Sequence, residues 1–347
     1  MRATLADISG QTGYAKSTIS IALRNDPRLP PATRHEIQEV AKRLGYRPDP
    51  SLSAIAATRW RRAEHSSGLT LACLLDSQTP ALRVLQAYLD AAHDRATALG
   101  YTAARFDLRA YPNPRSLCRV LVQRGVRGVL IPPVYTPELL RDFDWSLFAG
   151  VNCGQGLWRP PYHVVNTDVF AAVQIALREC LAAGYRRIGA ALFVHCHTAD
   201  DDARRFGAAF LEIAHTTPGR AEILPLESAP EDRAAFLDWV VRKKPEAIVA
   251  LHSGAARWLR EAGYRIPQDI AVVCLGDTPR PELAHINPQL ADVGRVAVEM
   301  LDSALRHNEI GPPSRPRVVL VTPEWIPGST LGRRAPAQAA ARSCGPH

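Results

Sequence analysis

From Leu69 onward the chain repeats one pattern: a short apolar run, then a longer stretch with apolar residues at helical spacing. The runs at 69–75, 101–106, 127–132, 146–151, 187–194, 246–251, 269–275 and 317–322 read as strands. Stretches such as 82–98, 168–183, 203–215, 231–243 and 291–307 read as helices between them. A strand joined to the next strand through a helix returns to its starting edge, so the two strands run parallel. Repeated units of this kind predict parallel sheets covered by helices. Residues 69–331 supply enough of them for two such subdomains. Hydrophobic residues make up 46% of the chain and charged residues 22%, so cores of that size can be filled.

The first 62 residues differ. They carry eleven Lys or Arg against five Asp or Glu, most of the chain's formal excess of +8. A concentrated basic excess favours polyanions. An anionic membrane would need a basic amphipathic helix with bulky apolar residues opposite, and none is present here. Thr4-Leu5-Ala6-Asp7 has the form of a capping box, which predicts a helix starting after Thr4 and broken by Gly13. In a second helix from Lys16 to Leu23, Ile19, Ala22 and Leu23 share one face; Lys16, Ser17, Ser20 and Ile21 fall on the other. Pro31 suits the first turn of a third helix, with Ile37, Val40, Ala41 and Leu44 on one side and Gly45 as its stop.

Thr4-Leu5-Ala6-Asp7-Ile8, Gly13, Ser17-Thr18-Ile19-Ser20, Ala22-Leu23-Arg24-Asn25, Thr33-Arg34 and Leu44-Gly45-Tyr46-Arg47-Pro48 closely resemble the N-terminal signature of the LacI/GalR family. The resemblance implies an all-α helix-turn-helix domain over 1–47 and a hinge helix and linker over 48–68. It implies an α/β periplasmic-binding-protein-like sensor of two interleaved parallel-sheet subdomains over 69–331. The Ala-, Pro- and Arg-rich residues 332–347 are expected to be a disordered tail. By the same resemblance Lys16, Ser17 and Ile21 stand at base-reading positions. Thr18, Ser20, Asn25 and Thr33 stand where the family holds phosphates, and Thr4 is also expected at the DNA. Lys16 can donate to guanine and Ser17 can donate or accept, whereas Ile21 offers only an apolar contact. Tyr14-Ala15 replaces the family's Val-Ser, and losing a capping serine costs about 1 kcal/mol. In the hinge, Ile55 falls at the position of a leucine that wedges into the minor groove, with Leu52 three residues before it. Either residue can instead pack the linker against the sensor.

For the sensor, the resemblance implies a small-molecule effector, a sugar or related metabolite, contacted by Asp168, Arg204 and Asp277. Asp168 can equally be a helix N-cap and Arg204 a surface helix residue. The family's first Asp near residue 277 is replaced by Gly276. Its Asn-Asp after the 246–251 run is replaced by Leu251-His252-Ser253-Gly254. Both changes alter the polar contacts of such a pocket. The expected partners are double-stranded operator DNA, the effector and a second copy in a homodimer.

Catalysis, metals and cofactors find little support. No phosphate-binding Gly-Lys-Ser/Thr loop, nucleophile elbow or triad spacing occurs, so no enzyme activity and no cofactor are expected. His195-Cys196-His197 with Asp200-Asp201-Asp202 has metal-ligand residue types but lacks a second ligand pair at zinc spacing. The seven cysteines are odd in number, widely spaced and set in apolar runs, which reads as reduced core thiols. Met1-Arg2-Ala3-Thr4 opens no apolar leader and no run is long enough to span a bilayer, so a cytoplasmic protein is expected. The rival reading is a solute-binding sensor of the same fold with no specific role on DNA.

Overall fold

The computed structural model describes residues 3–334 apart from 24, 27–28, 47–68, 80–81, 135, 155–158, 192–208, 210–211, 213–221, 226–231, 252 and 277–280. It opens with three helices, α1 (Leu5–Thr12), α2 (Lys16–Leu23) and α3 (Pro31–Arg43). Their apolar sides meet in a small core of Ile8, Ile19, Ala22, Ile37, Val40 and Ala41. The end of α3 shows how the sequence closes a helix. Gly45 takes the left-handed region at φ 66, its N–H reaches the Lys42 carbonyl, and the Tyr46 N–H reaches that of Ala41. Both bonds satisfy carbonyls that the helix cannot, and a side chain at Gly45 would strain that turn. The same Gly-Tyr pair closes three later helices, with Tyr101, Tyr185 and Tyr264 bonded back to Ala96, Cys180 and Leu259.

Two six-stranded sheets follow. The first holds β1 (Thr70–Leu75), β2 (Thr102–Asp107), β3 (Gly128–Ile131), β4 (Ala149–Cys153), β5 (His163–Thr167) and β11 (Val318–Val321). Its order is β11-β5-β4-β3-β1-β2 and its pairs are parallel. The second holds β6 (Arg187–Ala191), β7 (Glu222–Pro225), β8 (Ala247–Ala250), β9 (Ala271–Cys274), β10 (Ala284–Asn287) and β12 (Glu324–Ile326). Its order is β12-β10-β9-β8-β6-β7, parallel except for β12 against β10.

Helices cover both faces of each sheet. α4 (Leu82–Ala98) and α9 (Leu290–Arg306) lie on one face of the first, and α5 (Pro114–Gln123) lies on the other with Phe143, Phe148 and Tyr162. α6 (Val169–Ala182) covers one face of the second sheet, and α7 (Arg233–Lys243) and α8 (Gly254–Glu261) cover the other. The five described cysteines, Cys73, Cys118, Cys153, Cys180 and Cys274, are free and buried. Among the described residues no helix is long and apolar enough to cross a membrane.

Since α9 and β11 belong to the first sheet, the chain passes between the sheets three times, after β5, after β10 and after β11. The three passages lie side by side. Thr167 Oγ1 donates to the Pro288 carbonyl at 2.6 Å, the Asp168 N–H to the Val321 carbonyl at 2.9 Å, and Gln289 Nε2 to Glu324 at 2.9 Å. All three leave from the carboxyl ends of strands, so those ends of both sheets border the same crossing.

Strands β5, β7, β10 and β12 were not foreseen from apolar runs. Each is short, and β5 carries His163, Asn166 and Thr167, polar residues that are nonetheless buried. Residues 332–334, the first of the expected tail, are tied down. The Arg334 N–H reaches the Ala183 carbonyl, its guanidinium pairs with Glu246, and the Tyr185 hydroxyl donates to the Gly332 carbonyl.

Candidate functional site

In the three-helix unit the expected contact residues divide by what holds them. Thr4 is committed to α1: its hydroxyl donates to the Asp7 carboxylate at 2.8 Å and accepts the Asp7 N–H, while its own N–H reaches the same carboxylate. Those bonds hold the Asp7 carboxyl below the usual range. The N-terminus of α1 is thereby satisfied from within and carries a negative charge.

The start of α2 is different. Its first intrahelical bond runs from the Ile19 N–H to the Ala15 carbonyl, so the N–H groups before it lie at the positive end of the helix dipole. Lys16 and Ser17 are exposed there, and Thr18, Ser20 and Ile21 are half-buried on the same outer side. α3 also starts without a side-chain cap, with Thr33 half-buried in its first turn.

Asn25 ends α2. It takes the left-handed conformation at φ 57, which asparagine tolerates, with its N–H on the Ala22 carbonyl. The Arg34 guanidinium grips it twice, at 3.0 Å from the carbonyl oxygen and 2.9 Å from Oδ1. Gln38 Nε2 reaches the Ala22 carbonyl at 3.0 Å. These two α3 side chains fix the tilt of α2, a role the sequence pattern did not single out.

The sensor offers a second site. Each sheet has the strand sequence 2-1-3-4-5 in its own numbering, the order in which the chain reverses direction beside the first strand. Open sheets of this kind bind ligands beyond the carboxyl ends of the strands at that reversal. In the first sheet the place lies between β1 and β3, and Asp76 stands there, 2% exposed. Arg109 contacts it through Nε at 2.6 Å and Nη2 at 3.1 Å, and the Thr136 hydroxyl donates to it at 3.2 Å. Burial pushes the Asp76 carboxyl up, but these donors and the Gln78 N–H together hold it below the usual range. Asp107, beside it, accepts the Ser77 and Arg109 N–H groups. Thr79, also buried, has a hydroxyl with no hydrogen-bond partner among the described residues.

In the second sheet the corresponding place lies between the ends of β6 and β8, and the residues directly after β6 lie outside the described ones. Leu251 follows β8, and a Cβ built on Gly276 would lie 3.3 Å from its Cδ1. The leucine thus fills the space into which an aspartate at 276 would project.

Asp168 lies at the first crossing and caps α6, accepting the Ala171 N–H at 3.0 Å. It is partly exposed and its second oxygen is not engaged by that cap. Arg204, Asp277, Leu52 and Ile55 lie outside the described residues, as does the His195-Cys196-His197 group. Among the described residues no cluster of His, Cys, Asp or Glu is arranged to hold a metal.

The comparisons with known proteins agree with this architecture. Residues 177–331 match the periplasmic binding protein-like domain family. The regulator GalS of Salmonella typhimurium is 21% identical over 86% of this chain and 88% of its own length. MalR of Streptomyces coelicolor is 25% identical over 88% of this chain and 89% of its own. The repressor PurR of Edwardsiella ictaluri is 23% identical over 86% and 89%. Among solved structures, a complex of the transcriptional regulator CelR with cellobiose superposes with a TM-score of 0.59 at 18% identity, covering 95% of this chain and all of that one. The lac repressor dimer bound to operator and the anti-inducer ONPF gives 0.58 at 17%, over 96% of this chain and all of that one. The structural likenesses establish a shared fold, and the sequence relatives extend over both the three-helix unit and the sheets. With the signature at residues 4–48, these matches make the chain similar, over nearly its whole length, to transcription regulators of the LacI/GalR type.

Proposed function

We propose that this chain is a repressor that reads a pseudo-palindromic operator as a homodimer and changes its affinity when a sugar or related metabolite enters the cleft between the sheets. The observation that carries the reading is α2. It is braced on α3 through Arg34 and Gln38 and turns Lys16, Ser17 and Ile21 outward from an uncovered helix start. A helix held in this way enters a major groove with its first turn against the bases. Lys16 donates to guanine and Ile21 packs on a thymine methyl, while Thr18, Ser20 and Thr33 hold phosphates. Leu52 and Ile55 are assigned to the minor-groove wedge of the hinge. One such unit reads one half-site, so a two-fold dimer matches the operator's symmetry.

The effector site rests on the Asp76–Arg109–Thr136 group, the open Thr79 hydroxyl and the free oxygen of Asp168, joined by Arg204 and Asp277. Buried, oriented polar groups of this kind suit a polyhydroxylated ligand. A structural neighbour that binds cellobiose supports the class. Because the three crossings bond to one another at the cleft, a ligand that draws the sheets together alters the subdomain orientation that the hinge experiences. Operator and effector affinities must then shift each other by the same factor.

Selection of bound sequences from a random duplex pool, with the full chain at moderate salt, tests the reading. A two-fold symmetric site of about 14–20 base pairs, two half-sites of a dimer, is the expected result. Retention without sequence preference, or no retention at low salt, would favour the solute-sensor reading.

A further inference from the structure

All strands of the first sheet run parallel, so their amino ends share one edge, and the chain enters the sensor at that edge through Leu69 and Thr70. The three-helix unit touches the same edge. Asn308, in the turn after α9, donates through Nδ2 to the Asn25 carbonyl at 3.2 Å. Asn308 Oδ1 in turn accepts the Arg127 guanidinium at 2.6 Å, from the turn that leads into β3. On the other side, Arg34 grips Asn25 at 2.9 and 3.0 Å. Two arginines, one from each part of the protein, therefore converge on a pair of neutral amides.

That arrangement is electrostatically incomplete. Neither Arg34 nor Arg127 forms an ion pair with a carboxylate among the described residues. Arg127 is exposed. The nearest acidic residue in the chain to Asn308 is Glu309, which is exposed. Arg124, Arg315 and Arg317 stand at the same edge, in the turns that enter β3 and β11. Like charges brought together repel, and an anion set between them relieves the repulsion while accepting the planar guanidinium donors.

We propose that Asn25, Arg34, Asn308 and Arg127 form a composite site for a DNA backbone phosphate, so that the sensor itself, and not only the helices and hinge, holds the duplex. The proposal rests on the operator-binding reading for the identity of the polyanion. It adds a physical link: a change in the sensor's orientation moves Arg127 and Asn308 relative to Asn25 and so alters a DNA contact directly. The contact carries no sequence information, because a phosphate is the same at every base pair.

The test measures affinity of the full chain by fluorescence anisotropy, on a random-sequence duplex and on the selected operator, across a salt series. The variants are Arg127→Gln, Asn308→Gly, which suits the positive φ of 55 at that position, and Lys16→Ala as a control at the base-reading face. Loss of one phosphate contact lowers the magnitude of the salt slope by about 0.9. Arg127→Gln is expected to weaken binding about 3- to 10-fold on both duplexes and to lower the slope by that amount. Arg127→Lys should restore part of both. Asn308→Gly is expected to weaken both duplexes less. Lys16→Ala should lower mainly the preference for operator. Unchanged affinity and slope for Arg127→Gln, in a variant whose melting temperature matches wild type, overturns the composite site. If Lys16→Ala leaves the preference intact while Arg127→Gln loses affinity, base reading by α2 falls and the phosphate site stands.

Discussion

The two sheets share one strand order and differ in what is described at their carboxyl edges. The first presents a buried carboxylate gripped by an arginine and a threonine, with a second buried hydroxyl beside it. The second presents Leu251 packed against Gly276 where it is described. The topology supplies two equivalent places, and the described side chains differ between them. The polar groups described at such an edge stand on the first sheet; those expected on the second, Arg204 and Asp277, lie outside the described residues. The sheets also differ in how they are closed. The first depends on α9, a helix that returns from the other subdomain and lies so close to α4 that Gly294 faces the Tyr88 backbone.

The largest expected effect tests that closure. A Cβ at Gly294 would stand 2.4 Å from the Tyr88 carbonyl oxygen, backbone that can yield only by moving a helix. Overpacking of this kind costs about 3 kcal/mol, and Gly294→Ala should show it in the midpoint of denaturant unfolding. The same change at Gly276 meets the end of the Leu251 side chain at 3.3 Å and its carbonyl oxygen at an ordinary 3.6 Å, and should cost far less. Equal losses would mean that the close approach of α4 and α9 is not what holds the first subdomain.

Next comes the charged edge. Asp76→Ala leaves the exposed Arg109 guanidinium without the buried carboxylate that it grips. Solvent screens the arginine left behind, so the loss in the unfolding midpoint should be smaller than for Gly294→Ala. The variant should also lose the effector's influence on operator binding while still binding operator. If it keeps the full effector response, the first sheet does not carry polar recognition and the comparison between the two edges reverses.

A smaller effect comes from making the second edge resemble the first. Gly276→Asp alone pushes a carboxylate into Leu251 and should weaken effector binding. Gly276→Asp with Leu251→Asn removes the obstruction and supplies two polar groups. The double variant is expected to bind its effector more tightly than Gly276→Asp does, read by calorimetry with an effector found by screening against operator release. If the single variant matches wild type, Leu251 is not filling the carboxylate's place.

Much of the architecture was legible because its cause is local. The α4 boundaries follow from apolar spacing, α1 from Thr4 and Asp7, and the end of α3 from Gly45. β5 was not legible, because its buried polar residues are satisfied from far along the chain: His163 accepts the Arg317 N–H, and Thr167 bonds Pro288. No pattern near residue 163 announces those partners. The same holds for the sites. Lys16 and Ser17 declare themselves by standing opposite Ile19 and Ala22 on one short helix. Asp76, Arg109 and Thr136 come from three separate loops and meet only because β1, β2 and β3 are neighbours in the sheet. Asp168 could be read as a helix N-cap or as a ligand contact, and the structure shows it in the capping role.

The gentlest way to separate the two subdomains is acid. His163 is buried at the start of β5, and its Nδ1 accepts the Arg317 N–H at 2.9 Å, which requires an unprotonated nitrogen. Burial first, and the nearby Arg317 charge second, hold its pKa below the ordinary value, with Glu309 opposing. The unfolded chain protonates this histidine near its unperturbed value of about 6.5. The folded chain does so only at lower pH. The histidine's contribution to stability is therefore complete above about 6.5 and is lost as pH falls from there towards the folded value. In the second subdomain the corresponding group is a carboxylate. Burial pushes Glu246 up, but the Arg186 N–H, the Arg334 guanidinium and the Arg187 N–H outweigh it and hold its pKa down. Its contribution remains until pH falls below the ordinary glutamate value, about 4.3. Between pH 7.5 and 5.5 the first sheet should therefore lose amide-exchange protection at β5 and β11, while β8 and β9 keep theirs once intrinsic rates are corrected. Equal loss in both sheets would place the acid sensitivity elsewhere than His163.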